Sequence, residues 1–232
     1  IASLEKAVSG NNPYPAHFAE LDRLYQIAGT PVQKRLALLE QNQKTVVKKD
    51  EALGALINLK IFAGKANEAI SLLQSRTFSI WEGGTPFNSG QAWMDAHLVR
   101  GLQYFRAKKY REALTDFTAA VNPPENLRAE QRRGSSNTAI TYWTGCVYDA
   151  LGEKEKAQES WRAVIAATTL SSGAGETSGS GARRMGGSSL LQEEQRYYQA
   201  LAKQKLGNKD ENETVFNDLV KSAESALNQP AG

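Results

Sequence analysis

The sequence predicts an all-α fold: about five antiparallel helix pairs wound into a right-handed α-α superhelix, with a long aromatic loop and a flexible Gly/Ser insertion. Three observations carry this. Small and aromatic residues recur at a fixed offset, apolar residues keep a helical period between glycine-marked turns, and strand signals are absent.

The recurrence is centred on residues 101–120. Gly101 lets a second helix approach closely, and Tyr104 follows on roughly the same face. Lys108-Lys109 turns the chain, and Ala113, Phe117 and Ala120 form one stripe of a second helix. The pattern returns 44 positions later as Gly145, Tyr148, Gly152, Ala157, Trp161 and Val164. It occurs once before at the same offset, with Gly64, Ala69 and Leu73. In a last copy Ala200 stands for Gly145 and Gly207 for Gly152, at an offset of 55 that the Gly/Ser insertion explains. A repeated register of this kind outranks single motifs as a sign of fold.

Taken in order, a short helix over Leu4–Val8 is stopped by Gly10-Asn-Asn-Pro13-Tyr-Pro15. Phe18, Leu21, Leu24, Tyr25 and Ile27 mark a helix that Gly29 ends, and Thr30-Pro31 starts the next as N-cap and first helical residue, running to about Val47. The pairs are expected at about 16–47, 50–76, 90–121, 136–168 and 190–227, the terminal two degenerate. The loop at 77–90 is long and aromatic, with Phe78, Ile80, Trp81 and Phe87. Residues 122–135 hold Pro123-Pro124 and three arginines, and 171–189 is Gly/Ser-rich with little to bury. These loops are expected to punctuate one domain over 1–232.

Composition bounds the function classes. The chain of 232 residues is 41% hydrophobic and 23% charged, with mean hydropathy −0.49 and formal charge +3. No run of 18 apolar residues exists, so no membrane span or membrane partner is expected. Lysines and arginines are interspersed, and Arg128, Arg132, Arg133 and Arg183-Arg184 lack interleaved aromatics, which argues against nucleic acid. The single cysteine, Cys146, excludes an internal disulfide and reads as a buried small hydrophobe. The lack of disulfides suits the cytoplasm, and an opening of Ile-Ala-Ser reads as a fragment or processed product. No phosphate loop, metal spacing or cofactor motif is present.

The positions Gly101, Tyr104, Tyr110, Ala113, Phe117 and Ala120, with their echo at 145–161, resemble the tetratricopeptide repeat, a unit of 34 residues forming an antiparallel helix pair. The longer period here comes from elongated connections. Glu20-Leu-Asp22-Arg-Leu24-Tyr25, Trp81-Glu82-Gly83-Gly84, Pro124-Glu-Asn126-Leu127 and Tyr142-Trp-Thr-Gly145 look like the C-terminal helical half of a family of large bacterial proteins. Those proteins carry a β-rich domain of unknown function, similar to carbohydrate-recognising sandwiches, ahead of the helices. The resemblance covers about residues 12–220 and implies a context, possible carbohydrate proximity included, without a reaction.

The first helix of each pair should line the concave wall. That places Glu51 and Asn58, then Asp95, Leu98, Leu102 and Phe105, then Tyr142, Cys146 and Asp149, then Glu194, Tyr197 and Leu201 on a mixed apolar and acidic groove. Exposed Phe105, Tyr142 and Tyr197 suit docking of a protein or of another domain of the same polypeptide. The groove lacks the Lys/Asn/Arg array by which some tetratricopeptide domains clamp a C-terminal carboxylate. Trp81 and Glu82 have two readings: a plug in which Phe78, Ile80, Trp81 and Phe87 fill an inter-repeat groove, or a stacking platform and acceptor for a sugar. His97 reads as a packed helix residue; with Asp95 and Glu82 it would form an acid–base or metal cluster only if the loop folded over it. No catalytic residue is assigned, and the chain is expected to be a non-catalytic scaffold.

Overall fold

The computed structural model describes residues 1–79, 87–128, 137–167, 185–208 and 212–227, and only the backbone of 185–191, 212, 226 and 227. Among the described residues the regular elements are twelve α-helices and one 3-10 turn, without a strand. Two compact units, 1–131 and 132–232, are taken separately. The first holds α1 (Ala2–Val8), α2 (Pro15–Ile27), α3 (Val32–Gln41), α4 (Gln43–Val46), α5 (Asp50–Phe62), α6 (Ala66–Gln74), α7 (Ser89–Arg106), α8 (Tyr110–Ala120) and the 3-10 turn Glu125–Leu127. The second holds α9 (Thr138–Ala150), α10 (Lys154–Ala166), α11 (Met185–Lys205) and α12 (Asn212–Leu227).

Among the described residues the helices form five hairpins, α2 with α3, α5 with α6, α7 with α8, α9 with α10 and α11 with α12, and all five turn in the same way. Gly29, Gly64, Lys108, Gly152 and Gly207 have φ of 69°, 74°, 60°, 81° and 97°. The residue after each donates its N–H back five positions: Thr30 to Tyr25 at 2.8 Å, Lys65 to Lys60 at 2.8 Å, Lys109 to Tyr104 at 2.9 Å, Glu153 to Tyr148 at 2.9 Å and Asn208 to Lys203 at 3.0 Å. This left-handed C-cap satisfies helix-end carbonyls that would otherwise lack partners. Four of the five turn positions are glycine because a Cβ is disfavoured there. Lys108 is the exception.

Packing inside the pairs follows volume compensation. A Cβ on Gly101 would overlap the Phe117 ring, and one on Gly145 would stand 2.6 Å from the Trp161 indole nitrogen. The corresponding positions of the α5/α6 pair are Ile57 and Leu73, both fully buried in one cluster. A large ring on the second helix is thus matched by a missing side chain on the first, and medium residues are matched by medium ones.

Two apolar clusters fill residues 1–131. Phe18, Leu21, Leu36, Leu39, Val46, Leu56 and Leu59 join the first two pairs. Leu53, Ile57, Leu73, Phe78, Phe87, Trp93 and Leu127 join the second and third. Leu127 arrives from far along the chain because Asn126 straps the end of α6. Its amide donates to the carbonyls of Leu73 (2.9 Å) and Arg76 (2.8 Å), and its own carbonyl accepts from Phe78 N–H at 3.0 Å. Burial of Phe78 and Phe87 agrees with the plug reading for those two rings. Ile80, Trp81 and Glu82 lie outside the described residues, as do Arg132, Arg133 and the insertion at 171–184.

Two boundaries need correction. The helix expected to run unbroken to Val47 is interrupted at Asn42 (φ −109°, ψ 22°), whose side-chain amide donates to the Leu38 carbonyl at 2.9 Å. Asparagine competes with the helix ladder in this way, and α4 restarts beyond it. Thr30 is not the N-cap of α3; that place is held by Pro31 in an extended conformation, while Thr30 closes the preceding turn.

Candidate functional site

The first helices of the first two pairs, α2 and α5, pack directly against each other. Aligning their turns at Gly29 and Gly64 makes Ala16 correspond to Glu51, Glu20 to Ala55, Arg23 to Asn58 and Ile27 to Phe62. Between the two helices lies an open groove of about 520 Å³. Its walls are narrow because Ala16, Ala19, Gly54 and Ala55 carry little or no side chain, and Phe87 lies directly under Gly54. Substituting Gly54 would put a Cβ into that ring, so the floor exists in this form only with glycine there.

The rim is charged. Glu20, Arg23, Glu51 and Asn58 line it, and none of their side chains makes a hydrogen bond or ion pair among the described residues. Asp22 and Arg35, also lining it, neutralise each other through a buried two-bond pair at 2.8 and 2.9 Å. Phe62 closes the groove at the helix C-terminus and is 78% exposed; its counterpart Ile27 is 73% exposed. The expected wall residues Glu51 and Asn58 therefore fall in this groove. Arg23, Gly54 and Phe62 were not expected there, and Phe87 was expected in an inter-repeat groove without this one being singled out. Aligning the first pair on the second would have exposed the signal, since both Ile27 and Phe62 are large apolar residues two positions before a turn glycine.

The remaining expected residues are more dispersed. On α7, Asp95, Leu98 and Phe105 are partly exposed. Burial pushes the Asp95 carboxyl up, partly offset by a 2.9 Å hydrogen bond from Gln91. Phe105 packs its ring 5.6 Å from that of Tyr110. Tyr142 is not exposed as expected: it is 6% accessible, its ring 5.5 Å from that of Tyr198, and burial pushes its hydroxyl up. The α11 helix covers it. Asp149 accepts from Lys154 at 3.0 Å, and Tyr197 is exposed beside Tyr198 and Phe216. The repeat positions are structural throughout: Ala69, Gly101, Ala113, Phe117, Gly145, Ala157, Trp161 and Ala200 are buried, and Tyr104 and Tyr148 partly so.

A second cleft, of about 570 Å³, occurs within residues 132–232. Asp149, Lys154, Gln158, Arg162 and Lys205 make it polar, and the Lys205 ammonium sits 5.5 Å from the centre of the Trp161 ring at its base.

The reactive side chains are committed elsewhere. His97 is 4% accessible, with Nδ1 2.7 Å from Asp116 Oδ1. Arg100 donates to the same carboxylate at 2.6 to 3.0 Å and reaches across to Asn67 of α6 at 2.9 Å. Burial pushes the Asp116 carboxyl up, but the bonds from His97 and Arg100 together outweigh it and hold the carboxyl below its usual range. The Cys146 thiol is buried, and burial pushes it up, which disfavours the thiolate. Among the described residues no three His, Cys, Asp or Glu side chains are grouped to hold a metal ion, and no helix is long and apolar enough to cross a membrane.

Arranged in this way, the described residues form a tetratricopeptide-like array of antiparallel helix pairs, the class that the common turn and the glycine–aromatic register define. No family model matches the chain. Two similar solved structures are crystal structures of a Podosopora anserina putative kinesin light chain with nearly identical TPR-like repeats. The first, of a form of that protein carrying one substitution, is 20% identical, with 91% of this chain and 95% of that chain covered and a TM-score of 0.46. The other is 19% identical, with 93% and 97% covered and a TM-score of 0.43.

Proposed function

We propose that the chain is a non-catalytic interaction scaffold that docks a segment of a partner protein, or of another domain of its own polypeptide, in the groove between α2 and α5. The observation that carries this is Phe62, a phenylalanine 78% exposed at the end of a groove whose floor is apolar. Burying a phenylalanine side chain is worth about 1.5–3 kcal/mol, a gain left unused in the free chain. The groove's narrow walls suit an extended or helical segment better than a compact small molecule. In this reading Asp95, Leu98 and Phe105 of α7, each partly exposed, add to the recognition surface within residues 1–131, and Asp149 and Tyr197 are the corresponding candidates within 132–232.

The test is selection from a displayed library of random short peptides against the full chain. The proposal expects sequences enriched over bare support whose binding to Phe62→Ser falls by about tenfold, the worth of roughly 1.4 kcal/mol. Phe62 is too exposed for that substitution to disturb the core. No enrichment, or enriched peptides indifferent to Phe62→Ser, would overturn it.

A further inference from the structure

Charge in the groove is unevenly placed, and this specifies its ligand more closely. The Asp22–Arg35 pair is internally neutral, so the charges left to meet a ligand are those of Glu20, Arg23 and Glu51. Arg23 offsets one of the two carboxylates, and a net negative charge remains in a chain whose overall formal charge is +3. Position matters as well as sum. Glu51 lies in the first turn of α5, and Glu20 precedes Arg23 on α2 by about one helical turn. Phe62 lines the groove at the opposite, C-terminal end of α5, while its counterpart Ile27 ends α2 without lining the groove. The groove therefore runs from an acidic end, past Arg23 and Asn58, to an apolar end.

We infer that the occupant is a basic–apolar peptide segment: a lysine or arginine set against Glu20 and Glu51 at one end, and a large apolar side chain packed on Phe62 at the other. The inference rests on the docking reading above and adds the charge and direction of the ligand. Neither carboxylate makes an ion pair among the described residues, and Arg23 balances one of the two only in sum, so a ligand cation meets a net negative rim. A segment of reversed polarity would put its apolar residue against two carboxylates and its cation on Phe62, which removes both gains. An acidic segment would be repelled by the same two carboxylates, with Arg23 the one cation among the described lining residues that is not already paired.

The experiment uses the peptides recovered from the library selection on the full chain. Recovered sequences should be enriched in lysine or arginine separated from a large apolar residue. Their affinity should fall by about fivefold for the double variant Glu20→Gln, Glu51→Gln, and should weaken as salt is raised in the parent but not in that variant. Both substitutions are isosteric, at helical positions, and retained helicity by circular dichroism confirms that the variant is folded. Peptides that bind, depend on Phe62 and carry no basic bias would overturn this inference and leave the docking reading standing. So would peptides unaffected by the double variant or bound equally in high salt. Failure to recover any peptide would overturn both.

Discussion

At the scale of single residues, two positions carry the repeat. Gly101 is a glycine because Phe117 occupies the volume a side chain would need. Gly101→Val adds a β-branched side chain to a helix interior and forces that ring aside, so it should destabilise the chain by about 3 kcal/mol. Thermal unfolding within a degree or two of the parent would contradict the packing. Lys108 is the converse case, a lysine with φ of 60° where the other four turns have glycine. Lys108→Gly should stabilise by about 0.5–1 kcal/mol, since relief of left-handed strain exceeds the added chain entropy of glycine. Urea unfolding gives the sign directly. Gly101 is legible in the sequence through its echo at Gly145. The strain at Lys108 is not, although its offset of 44 from both Gly64 and Gly152 marks the position.

At the scale of elements, the ties between helices are polar as well as apolar. Asp116 of α8 takes bonds from His97 and Arg100 of α7, and Arg100 continues to Asn67 of α6, so one carboxylate serves two interfaces. Its folded value lies below the ordinary one, so its stabilisation is complete above about pH 4 and is lost as pH falls through the folded value. Asp116→Asn should cost about 3 kcal/mol at neutral pH, the penalty for leaving Arg100 without its buried partner. The difference from the parent should narrow as pH is lowered below about 4, and a difference independent of pH would contradict the assignment. Asn126→Ala removes both bonds of the strap over α6 and should cost about 2 kcal/mol by the same measurement.

These ties explain what the sequence could reveal. The five hairpins are legible because period, turn glycine and volume pairing are local. The strap is not, because Asn126 acts on residues about 50 positions earlier and no periodicity links them. Tyr142 is misplaced by sequence alone for a related reason: its position on the first helix is correct, but its covering by α11 depends on a pair beyond the Gly/Ser insertion.

At the scale of the whole molecule, a common turn and register run through both units, and the variable residues on the first helices are left to recognise a partner. The groove between α2 and α5 is where those residues combine an apolar floor, an exposed aromatic end and unpaired carboxylates. Glu51, Asn58 and, as a loop ring filling an inter-repeat groove, Phe87 are legible, but Arg23, Gly54 and Phe62 are not, because a facing residue is identified by what stands opposite, and the first pair carries no glycine–aromatic match to announce its register. Docking in this groove is decided by amide chemical-shift mapping of the full chain by NMR, titrated with a library-selected peptide. Perturbations should concentrate in α2 and α5, at Ala19, Glu20, Arg23, Ala55, Asn58 and Phe62. Perturbations confined to α10 and the end of α11, around the polar cleft at Trp161, would contradict it.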